Sequence, residues 1–173
     1  MSLLYLIPSL PMLSLDAAPG ITPAKFIEAC REQLSAGDAA LAEALLYGRP
    51  AVHPFAAALQ DKETILRNAV ARARARLSGT DAARWTRPAE GCDGQIETEV
   101  EDAFLESDPL AREKALDKVR WLIADDLQGP DPLSVKVVFA YAVKLALITR
   151  WTGFSAEQGR QTFEALTRVP LTL

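Results

Sequence analysis

The sequence predicts an all-α fold, a compact bundle of six or seven helices with a central apolar helix. Three observations predict it. Apolar residues recur at spacings of three and four through most of the chain. No stretch of useful length shows the period-2 alternation of a half-buried strand. Capping residues, with Pro or Gly, bracket nearly every apolar run. The 173 residues are expected to form a single helical domain, 1–173, of a size that buries roughly two-thirds of the surface its unfolded chain exposes.

Composition narrows the function classes. The chain is 49% hydrophobic and 24% charged, a globular composition and not a disordered one. Its net charge of −4 disfavours non-specific attraction to nucleic acid or anionic lipid, so no nucleic-acid partner is expected. Two cysteines and one histidine are too few for a disulfide scaffold or a tetrahedral zinc site, and no cofactor is expected. No run reaches about 18 consecutive apolar residues, so no direct membrane insertion is expected. The longest candidate, Leu133 to Trp151, is interrupted by Lys136, Lys144 and Arg150.

The opening MSLLYLIPSLPMLSLDAAPG invites comparison with an export signal and fails it. Its start carries no Lys or Arg, Pro8 and Pro11 break the apolar run, and Asp16 sits where a cleavage site needs small uncharged residues. We expect an extended segment, its φ angles fixed by the two prolines, laid across the hydrophobic surface of the domain. The expected compartment is then the cytoplasm, with Cys30 and Cys92 as free thiols.

Thr22-Pro23 starts the first amphipathic helix, with Thr as cap and Pro at the first position. Phe26, Ile27, Cys30 and Leu34 follow at helical spacing and Gly37 stops the run. Asp38 caps a second helix through Leu41, Ala42, Leu45 and Leu46, which Gly48-Arg49-Pro50 ends. His53-Pro54 reads as a turn-rich connector with a solvated or hydrogen-bonded histidine. From Asp61 to Leu77 a longer helix places Ile65, Leu66, Ala69, Val70, Ala73 and Leu77 on one face, and Ser78-Gly79 closes it. A short segment holds Trp85, and the acidic piece from Gln95 to Ser107 reads as helix. Asp108-Pro109 caps a helix lined by Leu116, Val119, Ile123 and Leu127, which Gly129-Pro130 breaks. Asp131-Pro132 starts the central helix, Leu133 to Trp151, which is apolar almost all round. Ser155 with Gln158 forms a capping box for a last helix through about Arg168.

Lys144 is the oddity on the central helix. A buried ammonium needs a partner, and the preceding helix offers Asp117, Asp125 and Asp126. An ion pair inside the bundle would make Lys144→Ala cost about 3–5 kcal/mol. Charge is also segregated along the chain. From Lys62 to Pro88 there are seven basic residues and two acidic ones, and from Glu90 to Asp108 eight acidic residues and no basic one. Such neighbours either neutralise one another across helix faces or present a docking face to a charged partner. For the second reading the candidate face is Arg72, Arg74 and Arg76, which project away from the apolar stripe.

Catalytic signatures are few. The sequence holds no Gly-rich phosphate loop and no nucleophile elbow, and one histidine cannot make the two Glu-x-x-His motifs of a di-iron bundle. No catalytic residue is assigned.

A set of landmarks carries a family resemblance: Tyr5-Leu6-Ile7 with Ser9-Leu10-Pro11-Met12-Leu13, Leu66-Arg67-Asn68, Asp108-Pro109-Leu110, Arg120-Trp121, Tyr141-Ala142 with Lys144-Leu145, and Arg150-Trp151. In that order and spacing the chain resembles a bacterial family of short uncharacterised proteins encoded in V-type (A/V-type) ATPase operons. Genes of that family stand where one for the all-helical funnel component, which joins the rotor shaft to the membrane ring, would be expected. The resemblance implies a non-catalytic soluble subunit, or an assembly or coupling partner, of a V-type rotary ATPase. It would bind the ATPase stalk subunits in the cytoplasm, peripheral to the inner membrane through the complex. The alternative class is a free-standing helical enzyme or small-ligand-binding protein.

Overall fold

The computed structural model describes residues 3–89, 91, 93–153 and 155–167. Among them are eight α-helices: α1 (Leu3–Ser9), α2 (Pro23–Gln33), α3 (Ala36–Leu46), α4 (Pro54–Ser78), α5 (Gly94–Ala103), α6 (Pro109–Gln128), α7 (Val135–Thr152) and α8 (Ala156–Thr167). One turn of 3-10 helix, Ala82–Arg84, follows α4. The described residues contain no strand. The all-α expectation holds, with more helices than the six or seven expected.

Most of the added count comes from the N-terminal segment. Leu3–Ser9 is helical, not extended. Leu6 is buried, and Leu3, Ile7 and Leu10 pack on the same core, the i, i+3, i+4, i+7 pattern of one helical face. Pro8 sits near the end of this short helix, where its missing N–H costs a single ladder bond.

Three boundaries also differ from the expected ones, each because another side chain caps the helix start. Ser35 accepts from the Asp38 amide and starts α3, so Gly37 lies inside that helix instead of ending α2. His53 is the N-cap of α4 through its Nδ1, which accepts from the Phe55 amide at 3.0 Å, so the helix begins at Pro54, well before Asp61. Ser134 caps α7, two residues after Pro132. Gly79, at φ 66°, and Gly129, at φ 73°, end α4 and α6 in a backbone region that side chains with a Cβ avoid.

Two hydrophobic clusters form the core. In the first, Leu6, Phe26, Leu41, Ala42 and Leu46 of α1–α3 surround Val138, Phe139, Ala142 and Leu145 of α7. In the second, Leu66, Ala69 and Ala73 of α4 meet Ile96 and Val100 of α5 and Leu116, Val119 and Ile123 of α6. Leu59 and Leu127 touch both clusters. Helix α7 packs on α6 on one side and on α3 on the other, so the most apolar helix is central, as its composition requires. Cys30 is buried in the first cluster, and burial pushes its thiol up to about 12. Cys92 lies outside the described residues, as does Arg168, the expected end of the last helix.

Candidate functional site

Ion pairs fix how α4 to α7 run. Lys62–Asp93 at 2.6 Å, Arg72–Glu97 at 2.6 Å and Arg76–Glu101 at 3.1 Å advance together along α4 and α5, which are therefore parallel. Arg74–Glu113 at 3.7 Å and Arg120–Glu63 at 3.1 Å run in opposite senses, so α6 is antiparallel to α4. The connection from α4 to α5 must return along the bundle. Asn68 holds it there: its amide donates to the Arg87 carbonyl at 2.8 Å and accepts from the Arg87 N–H at 2.9 Å.

The basic and acidic segments thus meet each other. Arg72, Arg74 and Arg76 each pair with a glutamate of α5 or α6. These are exposed pairs, each worth under about 1 kcal/mol, and their consequence is neutralisation. They do not form the uncompensated cationic face that the docking reading requires. At Lys62 the effect on titration is visible. The hydrogen bond from Lys62, working against burial, holds the Asp93 carboxyl below its usual range. The same bond raises the Lys62 ammonium. The pair stabilises the fold from above the usual carboxylate range up to the usual lysine range. Its contribution is lost as pH falls through the lowered Asp93 value or rises through the raised Lys62 value.

The three aspartates expected around Lys144 have separate roles. Asp125 is the partner of Lys144, Asp126 lies 3.5 Å from Lys62, and Asp117 serves neither. The Lys144 ammonium also sits 5.0 Å from the Trp121 ring centre. Its side chain is only 13% exposed, yet Asp125 is 46% exposed, so the pair reaches water at the bundle surface. Lys144→Ala should then cost about 0.5–1.5 kcal/mol, the sum of a surface pair and a cation–π contact, in place of the larger loss expected for an interior pair. Urea unfolding of the variant checks this, and a loss above about 3 kcal/mol would restore the interior pair.

Asp117 is the buried carboxylate, at 0% exposure. One oxygen accepts from Arg120 Nη1 at 3.0 Å. The other accepts from Arg150 Nη2 at 2.5 Å and from the Trp151 indole N–H at 2.7 Å. Arg120 in turn donates to both Glu63 oxygens, at 3.2 and 3.1 Å, and Glu63 accepts from Arg67 Nε at 2.9 Å. Charges alternate along Arg67–Glu63–Arg120–Asp117–Arg150, from α4 across α6 to the end of α7. Burial opposes the Arg120 charge, but Glu63 and then Asp117 outweigh it, so its pKa is raised. Each carboxylate here is occupied by donors, and the arrangement serves to lock three helices in register.

One signal for Asp117 was present in the sequence. It lies seven residues before the buried Ala124 and so shares its face, a carboxylate on an inward stripe. What decides its partner is the antiparallel pairing of α6 with α7, which residue spacing within one helix does not report.

The antiparallel pairing of α6 with α4 brings the start of α6 level with the ends of α4 and α5. Leu77, Leu105 and Leu110 lie at that end, 69%, 82% and 55% exposed. In helix α8 every described side chain from 157 to 167 is exposed. Between α4 and α6 lies a groove of about 590 Å³ walled by Trp85.

Residues 96–169 match the model of a family described as Protein of unknown function (DUF2764). The match runs from α5 through α8 and takes in Asp117, Arg120, Lys144, Arg150 and Trp151. No curated protein and no solved structure matches the chain. Among the described residues no single helix is long and apolar enough to cross a membrane.

Proposed function

We propose that the chain is a non-catalytic soluble subunit, or an assembly or coupling partner, of a bacterial V-type rotary ATPase, placed in the stalk like the helical funnel component. The resemblance supports this reading, and its landmarks fall on ties between elements. The Tyr141 hydroxyl donates to the Pro11 carbonyl at 2.8 Å, Asn68 holds the Arg87 backbone, and Arg120, Arg150 and Trp151 converge on Asp117. A set of residues that fixes one fold is what a family resemblance should consist of.

The observation that carries the docking role is the apolar end of the bundle. Leu77, Leu105 and Leu110 are exposed there together, and grouped exposed apolar side chains mark protein contacts more often than scattered ones do. The docking surface is accordingly this end and not Arg72, Arg74 and Arg76. Reversing those arginines would set new glutamates against Glu97, Glu113 and Glu101 and strain the chain itself.

The test is affinity purification of the tagged chain from its native host. ATPase stalk subunits should co-purify with the unaltered protein and be lost with Leu105→Ser combined with Leu110→Ser, at unchanged helical content. If none co-purifies, and a deletion strain couples ATP hydrolysis to ion transport normally, the free-standing helical alternative replaces this reading.

A further inference from the structure

A cavity of about 420 Å³ lies between α6, the end of α7 and residues 15–18. That volume falls within the range of formed small-ligand clefts, about 300–1,000 Å³. Leu15, Ala115, the buried Ile148 and Trp151 give it apolar walls. The Trp151 indole donates to the buried Asp117 at 2.7 Å, so this wall is set before any ligand arrives. Lys114 and Lys118 bring positive charge to the lining and Asp16 brings negative charge.

The state of its cations sets this cavity apart. Arg67, Arg74 and Arg120 at the Trp85 groove, and Arg49, Lys62 and Lys144 at other cavities, each hold a carboxylate already. Lys114 and Lys118 are exposed and hold none among the described residues. The contact of Lys114 is with the Trp151 ring, whose centre is 5.9 Å away, near the outer limit of such an interaction. Their own helix offers no free partner. Among the residues three and four away from them on α6, the one carboxylate is Asp117, which Arg120, Arg150 and Trp151 occupy. Like charges four residues apart on a helix repel, and an anion between them removes that repulsion.

We propose that this cavity binds a small organic carboxylate, with its anionic group between Lys114 and Lys118 and a compact apolar body against Trp151 and Ile148. One negative charge suits the site better than two. Asp16 lines the same space, and the carbonyl end of α7 adds partial negative charge, so both oppose a phosphate dianion. The inference holds or fails separately from the ATPase reading, whose docking role rests on the end of the bundle at Leu77, Leu105 and Leu110.

Isothermal titration calorimetry of the full-length chain tests it, with 2-naphthoate as the probe and 2-naphthamide as the same ring without the charge. Naphthoate should saturate with a Kd below about 1 mM and bind at least about tenfold tighter than the amide. 2-Naphthyl phosphate should bind no tighter than naphthoate. Lys114→Gln combined with Lys118→Gln should raise the naphthoate Kd at least about tenfold at unchanged helical content and leave amide binding as it was. Lys25→Gln combined with Lys136→Gln removes the same charge from two other exposed positions and should change neither. Absence of saturation in that range, or an amide bound as tightly as the acid, overturns the proposal. So does a tighter phosphate, or an equal loss of naphthoate binding in the two double variants.

Discussion

Asp117→Ala should destabilise the protein by about 3–5 kcal/mol, the range for breaking a buried ion pair from one side. The carboxylate is fully buried and receives donors from Arg120, Arg150 and Trp151. Its removal leaves two guanidinium groups facing each other where one negative charge separated them. Arg120 keeps Glu63, and Arg150 is 42% exposed and can turn toward water. These reliefs keep the loss within that range and do not abolish it. Asp117→Asn should recover little, because an amide keeps the shape but not the charge. Adding Arg150→Ala to Asp117→Ala should cost less than the two single losses together, since the second change removes a cation that the first left uncompensated. Urea unfolding of the unaltered protein and of these four variants, Arg150→Ala included, measures all of this. A single-variant loss below about 1 kcal/mol would mean that helix register is held by apolar packing alone.

The fold class was legible because helix periodicity and caps are local properties. Phe26, Ile27 and Cys30 in α2, or Leu116, Val119 and Ile123 in α6, show their buried face in the spacing alone, and all six are buried. Boundaries were less legible where two capping residues competed, as Ser35 and Asp38 do. The helix at Leu3–Ser9 was hidden by its prolines, although Leu3, Leu6, Ile7 and Leu10 keep helical spacing. The electrostatics were the least legible part. Lys144 did need a carboxylate, and Asp125 supplies it, but the choice among Asp117, Asp125 and Asp126 depends on how α6 faces α7 and α4. For the same reason the sequence left open whether the basic segment meets a partner or its acidic neighbour, and α4 lying parallel to α5 pairs the two. The groove beside Trp85 left no mark in the sequence, since its lining comes from α4 and α6 residues that only the fold brings together.

Leu6→Ala should destabilise by about 2–5 kcal/mol, the cost of deleting a buried leucine side chain and leaving a cavity. Leu6 is 1% exposed in the core cluster of α2, α3 and α7, whereas its neighbours Leu4 and Tyr5 are 61% and 76% exposed. Alanine at those two positions should therefore change stability by less than about 0.5 kcal/mol, and the contrast reports helical periodicity in a segment that holds Pro8 and Pro11. The segment has a second attachment. Tyr141, whose ring stacks on Phe26 at 5.3 Å, donates its hydroxyl to the Pro11 carbonyl at 2.8 Å. Burial raises the Tyr141 phenol from its ordinary value to about 12. Its contribution is complete below the unfolded value of about 10, and it is lost as pH rises through the folded one. Tyr141→Phe should cost about 1–2 kcal/mol through the unpaired carbonyl and should abolish that part of the alkaline loss. In a chain of this length each kcal/mol lowers Tm by roughly 2–4 °C, so thermal melts separate Leu6→Ala from the Leu4 and Tyr5 controls. Equal, small shifts for all three would show that the opening segment is not anchored to the bundle through Leu6.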